Sequence, residues 1–244
     1  MRLSAKGKRK LLGMAALIAL LAVLTYLVLT NYVFIAKDVR VVGNETLTAE
    51  EIIRAAKLPL GKKMSEVDED AVRQALNSSG VVELLELEKA YPSQIVLTVR
   101  ERAREAVISH AGVVLTLERD ATVIERLDAM PETDAVYVTG LGVTGYRLGE
   151  VIYAPEDQRA AMCEALNAIY ENDARAYVSE LNVSDPNAVY IYSRTGMRVE
   201  LGDGENMNSK ILWMVEALKD LESRGELTGT LDVSSGSKAD YSPE

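Results

Sequence analysis

The sequence predicts an α+β protein with an N-terminal transmembrane helix, a compact βααββ unit and a mixed β domain with helices. Residues 11–36 contain no charged side chain. Residues 37–104 show two short helical patterns enclosed by strand patterns, and residues 105–234 are dominated by alternating apolar and polar residues, typical of half-buried strands. Residues 1–10 then form a cytoplasmic tail, and residues 235–244 form a polar tail.

The uncharged run over residues 11–36 is interpreted as a membrane anchor. About 20 mostly apolar helical residues span a bilayer core, and this run is long enough. Positive charge before the run keeps the N-terminus in the cytoplasm, so residues 37–244 lie outside it. The basic residues are Arg2, Lys6, Lys8, Arg9 and Lys10. The rings of Tyr26, Tyr32 and Phe34 lie towards the far end, where amphipathic side chains favour the membrane interface.

A cleaved signal peptide is the alternative interpretation of this run. Its apolar region is usually about 7–15 residues long and is followed by a small-x-small cleavage site. The run here is longer, and residues 30–34 offer no such site. We therefore expect an uncleaved, single-pass type II anchor.

The charge of the exported part excludes several classes of function. The whole chain carries −10 and residues 1–36 carry +5, which leaves −15 for residues 37–244. A nucleic-acid binder needs a basic face, so nucleic acid is excluded as a partner. The same acidity argues against contact with anionic lipid beyond the anchor. Cys163 is the single cysteine and cannot form an internal disulfide, which fits a bacterial envelope protein.

The βααββ unit begins with a β-rich run and a turn over residues 39–44. A capping box at Thr48 and Glu51 starts the first helix, and a second helix starts near Asp68. Strands follow at residues 81–90 and 95–100, joined by a turn at residues 91–93. The order of elements is therefore strand, helix, helix, strand, strand.

The strand-rich half begins with a hairpin that joins residues 106–109 to residues 113–117. Further strands are predicted at residues 123–127, 135–139, 178–183, 189–192, 197–201 and 227–234. Pro155 opens one helix at its favoured first position, and a last helix runs from about Ser209 to Glu222. Because Leu227–Ser234 is the final strand before the polar tail, we expect it at an edge of the sheet.

This order of elements resembles the FtsQ/DivIB family of bacterial cell-division proteins, in which a POTRA domain and a β domain follow one anchor. The strand and turn at 39–44, the loop Gly61-Lys62-Lys63 and the segment from Tyr91-Pro92 to Glu101-Arg102 are similar to the family's motifs. Arg104 is a departure, because the family usually has a proline there. The resemblance covers essentially the whole chain.

The resemblance implies binding to other division proteins. In this family the end of the β domain receives a strand from a small coiled-coil membrane partner, of the FtsB/DivIC or FtsL kind. An open sheet edge offers unpaired N–H and C=O groups for such pairing, although Asp232 could also blunt an ordinary edge. Trp213 is expected either in the core or at a partner contact. The partner-binding residues implied are Leu227, Thr230, Leu231, Val233, Tyr241 and Trp213.

Three motifs are interpreted as structural. Gly140–Gly145 matches a dinucleotide-binding pattern, but no helix start follows it. Residues 235–238 match the Ser-x-x-Lys of penicillin-binding enzymes, but they lie in the polar tail. His110 is the single histidine and has no partners for a triad or a metal site. The sequence therefore predicts no catalytic, metal or cofactor site and no small-molecule substrate.

The expected function is a non-catalytic scaffold at the division septum that links early and late division proteins. The alternative is a membrane-anchored cell-envelope enzyme that acts on wall substrates. The absence of a nucleophile and base set in the sequence disfavours that alternative.

Overall fold

The computed structural model describes residues 5–243, with side chains from residue 12 onward except at residue 31. Contacts divide the chain into two compact units. The first unit takes residues up to 76 together with 82–101, and the second takes 77–81 together with the chain from 102 onward.

Helix α1 (Ala5–Val28) runs through the uncharged stretch and continues as a π-helical turn over Leu29–Val33. Within the described part of the chain, no helix is long and apolar enough to cross a membrane. Residues 1–4 of the predicted cytoplasmic tail, and the side chain of Leu11 at the start of the predicted anchor, lie outside the described part of the chain.

The first unit folds in the order that the sequence predicts. Its elements are β1 (Asp38–Val42), α2 (Ala49–Ala56), α3 (Glu69–Ser79), β2 (Val82–Ala90) and β3 (Gln94–Glu101). The sheet order is β1-β3-β2, with β1 parallel and β2 antiparallel to the central strand β3. Ile95, Leu97 and Val99 of β3 are fully or almost fully buried, which matches the period of two in the sequence.

The predicted capping box is present at the start of α2. Thr48 accepts a hydrogen bond from the Glu51 amide, and the Glu51 carboxylate accepts one from the Thr48 amide at 2.9 Å. The helix ends at Lys57, which adopts a left-handed conformation with φ of 49°. Both ends of this short helix are therefore fixed by local chemistry.

Glu101 fixes the loop between β1 and α2. Its carboxylate accepts hydrogen bonds from the amides of Glu45, Thr46 and Leu47 at 2.8 to 3.1 Å, and from the Thr46 hydroxyl. Desolvation opposes ionisation, but the bonds from Thr46, Leu47 and Glu45 together lower the pKa of Glu101 to about 2. The loop is thus held by the ionised form of one side chain.

The second unit contains a mixed sheet and two helices. Its strands are β4 (Ala106–His110), β5 (Val113–Leu117), β6 (Val123–Leu127), β7 (Val136–Thr139), β8 (Val178–Asn182), β9 (Val189–Ser193), β10 (Arg198–Gly202), β11 (Thr230–Asp232) and β12 (Asp240–Ser242). Its helices are α4 (Glu156–Glu171) and α5 (Met207–Arg224). Within residues 5–243 the sheet order is β12-β11-β10-β9-β8-β7-β4-β5-β6.

One apolar core joins the buried face of this sheet to α4 and α5. Ile191 and Val199 point into it from β9 and β10, and Leu166 and Met214 meet them from the helices. The alternation of buried and half-buried residues along β9 and β10 leaves the opposite face polar. The α+β class predicted from the sequence is thus present in both units.

The structure differs from the predicted elements near the C-terminus. The last predicted strand, 227–234, is shortened to β11, and residues 240–242 of the predicted polar tail form β12. Helix α5 begins two residues earlier than predicted and extends two residues further. Pro155 is the N-cap residue of α4 rather than its first helical residue.

We predict that Glu101→Gln loosens the β1–α2 loop. A neutral amide accepts weaker hydrogen bonds, so the free energy of unfolding should fall by about 1–2 kcal/mol at neutral pH. Hydrogen exchange of the amides at residues 45–47, in the detergent-solubilised full chain, measures the change directly.

The pH dependence gives this prediction a second readout. Because the pKa of Glu101 is lowered in the folded state, its contribution is complete above the ordinary carboxyl pKa and is lost as the pH falls towards about 2. The difference between wild type and variant should therefore disappear in acid. Glu45→Gln is the matched control, because its exposed side chain lies in the same loop; equal loosening by both variants would contradict the assignment.

Candidate partner-binding site

The end of the nine-stranded sheet is formed by β12. It pairs antiparallel with β11, with Thr230, Leu231 and Asp232 opposite Ser242, Tyr241 and Asp240. Strand β11 is therefore enclosed between β10 and β12. This arrangement corrects the expectation that the strand at residues 227–234 is a sheet edge.

The direction of each backbone group on β12 follows from the register. The Arg198 amide donates to Gly229 O, and the Val233 amide donates to Glu200 O. The odd-numbered residues in and next to β11 therefore direct their N–H and C=O groups to β10. Thr230 and Asp232 then direct their N–H and C=O groups to β12, where they pair with Ser242 and Asp240. Tyr241 lies between those pairs, so its N–H and C=O point away from β11.

Two of the residues assigned to partner contact lie in the core. Leu231 is 1% exposed and Val233 is fully buried. The sequence shows correctly that Leu231 and Val233 share a face, but that face packs against the core of the unit. This location corrects the expectation that their side chains meet a partner, because no surface is left on them to bury.

Tyr241 holds β12 in place through its side chain. The ring is half-buried and packs against the apolar core. Its hydroxyl donates to Thr228 O at 2.7 Å and lies 3.2 Å from the Glu226 carboxylate. Leu227 lies beside this contact in the same connection and is 46% exposed. The hydroxyl therefore ties the last strand to the loop that leads into β11.

An apolar groove lies beside this edge on α5. Trp213 is 43% exposed and Leu212 is 53% exposed, although both belong to a helix whose other face is buried. They line a shallow cavity of about 260 Å³ together with Ser209, Glu216 and Gly236. Gly236 belongs to the turn between β11 and β12, so the groove adjoins that turn. Trp213 is therefore at the surface, as the second of the two sequence interpretations expects.

Lys210 is a buried residue of α5 that packs next to Gly236 of the groove. Its side chain is 2% exposed, and Nζ donates to the backbone and carboxylate oxygens of Asp203, both at 2.8 Å. The bond from Lys210 lowers the pKa of Asp203. A methyl group placed on Gly236 would lie 3.6 Å from Lys210 Cγ, so the turn rests on the lysine stem. A buried ammonium with a satisfied partner fixes this corner of the unit.

The surface around the edge is acidic. Asp232 and Asp240 are exposed on β11 and β12, and Glu216 and Glu226 lie on or just after α5. Hydrogen bonds from the Ser234 hydroxyl and amide lower the pKa of Asp232, so it is ionised at neutral pH. Such a surface favours a partner with basic residues.

A cleft of about 1050 Å³ in the second unit lies around Tyr170. The guanidinium groups of Arg119 and Arg175 lie 5.5 and 5.4 Å from the ring centroid, and each also pairs with a carboxylate, that of Glu105 or Asp134. Burial, together with the charge of Glu105, raises the pKa of Tyr170 to about 12. Tyr170 is therefore protonated at neutral pH, and Arg175 in the cleft is already paired with Asp134.

The glycine-rich segment at 140–145 is a loop between β7 and α4. The Gly142 amide donates to the side chain of Gln158 at 2.8 Å, and Gln158 returns a bond to Gly140 O at 3.3 Å. The segment does not open a helix, because α4 begins at Glu156. The amides of Gly142, Val143 and Thr144 donate to oxygen atoms of the protein itself.

His110, Cys163 and Lys238 each have an environment that the fold itself accounts for. His110 ends β4 and stacks edge to face with Tyr146 at 6.4 Å. Burial raises the pKa of the Cys163 thiol on α4. Lys238 pairs with Asp240 in the turn before β12. Over the described residues, no cluster of three or more His, Cys, Asp or Glu side chains could hold a metal ion.

Comparison with known proteins identifies the class. The family model for the FtsQ-type POTRA domain matches residues 34–102. The Clostridium tetani cell division protein DivIB is 22% identical over 203 residues, covering 82% of this chain and 76% of that protein. The Myxococcus fulvus cell division protein FtsQ is 24% identical over 215 residues, covering 88% and 74%. The major extracytoplasmic domain of DivIB from Geobacillus stearothermophilus aligns at 17% identity and a TM-score of 0.33, over 50% of this chain and 96% of that one.

The first unit is thus a POTRA domain of the FtsQ type, followed by a second unit with a large β-sheet. The chain is similar to FtsQ and DivIB cell-division proteins over more than four-fifths of its length, and the family resemblance seen in the sequence is confirmed. The names of these relatives support a role in cell division.

We predict that Tyr241→Phe loosens β12 without unfolding the unit. Loss of the hydroxyl bond to Thr228 O should lower the local stability of the strand by about 1 kcal/mol. Amide hydrogen exchange at residues 230–242 should accelerate about fivefold in consequence. Tyr192→Phe on β9 is the control, and equal acceleration in both variants would argue against the tie.

Proposed function

We propose that this chain is a non-catalytic scaffold of the bacterial divisome that captures small membrane partners through the C-terminal end of its second unit. The partners would be coiled-coil division proteins of the FtsB/DivIC and FtsL kind, and the chain would link early and late division proteins at the septum. The observation that carries this proposal is the exposed apolar groove on α5, which adjoins the turn leading into the terminal strand β12.

Strand β12 is the terminal strand of the sheet over the described residues. Asp240 and Ser242 pair with β11, so the backbone of Tyr241 faces the other side of the strand. A partner strand placed there would extend the sheet in the mode that exposed edges commonly use. Pro243 follows directly and keeps Ser242 extended, so the edge is short and preformed.

The groove would add a side-chain contact to this backbone pairing. A tryptophan at a partly exposed position supplies a large apolar surface and one polar N–H, which is why tryptophan dominates many interfaces. Trp213 and Leu227 lie on or beside the groove and the edge, and the acidic rim around them would select a basic segment. Thr230 would contribute indirectly, by holding β12.

We further propose that residues 11–36 anchor the chain, with the N-terminus in the cytoplasm and the two units outside. Leucines on several sides of α1 are about half or more exposed, including Leu12, Leu17, Leu20 and Leu24 at 76, 56, 56 and 49%. A helix that is apolar all round is stable where lipid surrounds it. The five basic residues before it fix the orientation.

Tyr241→Pro should reduce partner capture at least about tenfold, because it removes the outward amide and restricts φ. The measurement is a pull-down from detergent-solubilised membranes with the full chain as bait, quantifying small coiled-coil division proteins by mass spectrometry. Tyr241→Ala is the matched control, since it also loses the ring and the hydroxyl bond to Thr228 O but keeps every backbone donor. Undiminished capture by a folded proline variant would refute strand addition at β12.

Trp213→Ala should also weaken capture, by about tenfold, since interface tryptophans often contribute more than 1 kcal/mol each. Ser223→Ala on the same helix is the control and should leave capture unchanged, because over the described residues the Ser223 hydroxyl bonds only to Asp220 O. If both variants bind as well as wild type, the groove takes no part, and the proposal is then restricted to the strand edge.

A further inference from the structure

The segment that follows α1 is hydrogen-bonded on both sides within the first unit. The Ala36 amide donates to Lys62 O at 2.9 Å, and the Gly61 amide donates to Ala36 O at 2.8 Å. The Lys37 amide donates to Ser93 O at 2.9 Å. The exit segment therefore lies between the loop after α2 and the turn that joins β2 to β3.

These hydrogen bonds begin immediately after the helix. The last residue of the π-helical turn is Val33, and Phe34 O already accepts a hydrogen bond from the Met64 amide at 3.0 Å. One or two residues of chain reach only about 3.5 to 7 Å. The loop after α2 is thus held beside the end of α1 by covalent geometry and backbone pairing.

Two apolar side chains are exposed at this end of the first unit. Leu60 is 45% exposed at the tip of the loop, and Tyr91 is 60% exposed in the opposite turn. The ring of Tyr91 meets that of Phe34 edge to face, with centroids 5.2 Å apart. An exposed leucine and an exposed tyrosine that both border the exit of an apolar helix are suited to an interface between water and lipid.

The net charge of this end is positive, whereas the net charge of residues 37–244 as a whole is negative. Residues 57–63 contain three lysines and no acidic residue, and Lys37 lies in the exit segment. Over the residues whose side chains the structure describes, none of these four lysines forms an ion pair. Asp38 and Glu66 are the acidic residues nearest along the chain.

We propose that this surface, the collar (Lys37, residues 57–63 and Tyr91), lies against the outer surface of the bilayer and binds anionic phospholipid. Leu60 and Tyr91 enter the interfacial layer, and the lysines pair with lipid phosphates. A basic residue near an anionic membrane surface contributes about 1 kcal/mol. The proposal rests on the proposed anchor, which delivers the collar to the membrane. It also revises the charge argument, because the net −15 hides a basic end.

Site-directed spin labelling of the full chain in nanodiscs tests this contact. In a Cys163→Ser background, single nitroxides are placed by Leu24→Cys in α1, Leu60→Cys in the collar and Leu85→Cys on β2. All three native side chains are about half exposed, so labels there leave the cores intact. Leu85 precedes the end of β2 by five residues, which places it roughly 17 Å further along the strand.

Collisions with a water-soluble nickel chelate and with oxygen report immersion. In nanodiscs that contain phosphatidylglycerol, the label at 60 should be protected from the chelate about threefold or more relative to the label at 85. Changing Lys57, Lys62 and Lys63 together to Gln should reduce that protection, as should discs made only of phosphatidylcholine.

Each alternative result overturns a separate claim. A label at 60 as accessible to the chelate as that at 85, with 24 still protected, refutes the collar and leaves the anchor intact. A label at 24 that is also accessible refutes the anchor and the collar with it. Protection at 60 that requires a second membrane protein in the disc assigns the collar to a protein partner instead of lipid.

Discussion

The hydrogen bonds between β11 and β12 determine where the large sheet ends. Because Thr230 and Asp232 face β12, the last three-residue strand takes the edge position, and β11 is enclosed between β10 and β12. The hydroxyl of Tyr241 and the stem of Lys210 hold this strand and its turn from the two sides. The surface available to a partner therefore depends on a few contacts at the very end of the chain.

The Glu-Arg pair at the end of β3 shows how two adjacent residues can serve separate units. Glu101 binds the loop at residues 45–47 in the first unit. Arg102 forms an ion pair with Glu118 in the second, at 2.6 Å, with both side chains more than 90% buried. Breaking a buried pair of this kind leaves an uncompensated charge, which costs about 3–5 kcal/mol. The division between the units falls between these two residues.

Much of the fold could be predicted from local signals. The capping box at Thr48, the alternation along β3 and the apolar stripe of α5 each reflect burial on one face, and burial leaves a period in the sequence. Strand β12 could not be predicted in this way, because Asp240-Tyr241-Ser242 has no apolar alternation and gains its structure from pairing with β11.

The assignment of the binding face failed for a related reason. The sequence separates Leu231 and Val233 from Thr230 and Asp232, but periodicity does not say whether an apolar face meets the protein's own core or a partner. A tyrosine followed by Ser-Pro in an otherwise polar tail was the available signal for a held terminal segment. The basic collar could likewise not be recognised from the net charge of residues 37–244, since a sum over 208 residues carries no information about position.

The shortness of β12 has a consequence for how strongly any strand can bind there. A partner strand could form only about two backbone hydrogen bonds with a three-residue strand, and these contribute about 2 kcal/mol, far below what micromolar affinity requires. Capture in solution would then be weak even with the groove occupied. Two proteins confined to the same membrane, however, meet at an effective concentration that can reach the millimolar range. A short edge strand would therefore retain partners that lie in the same membrane. Soluble peptides of similar sequence would dissociate from it.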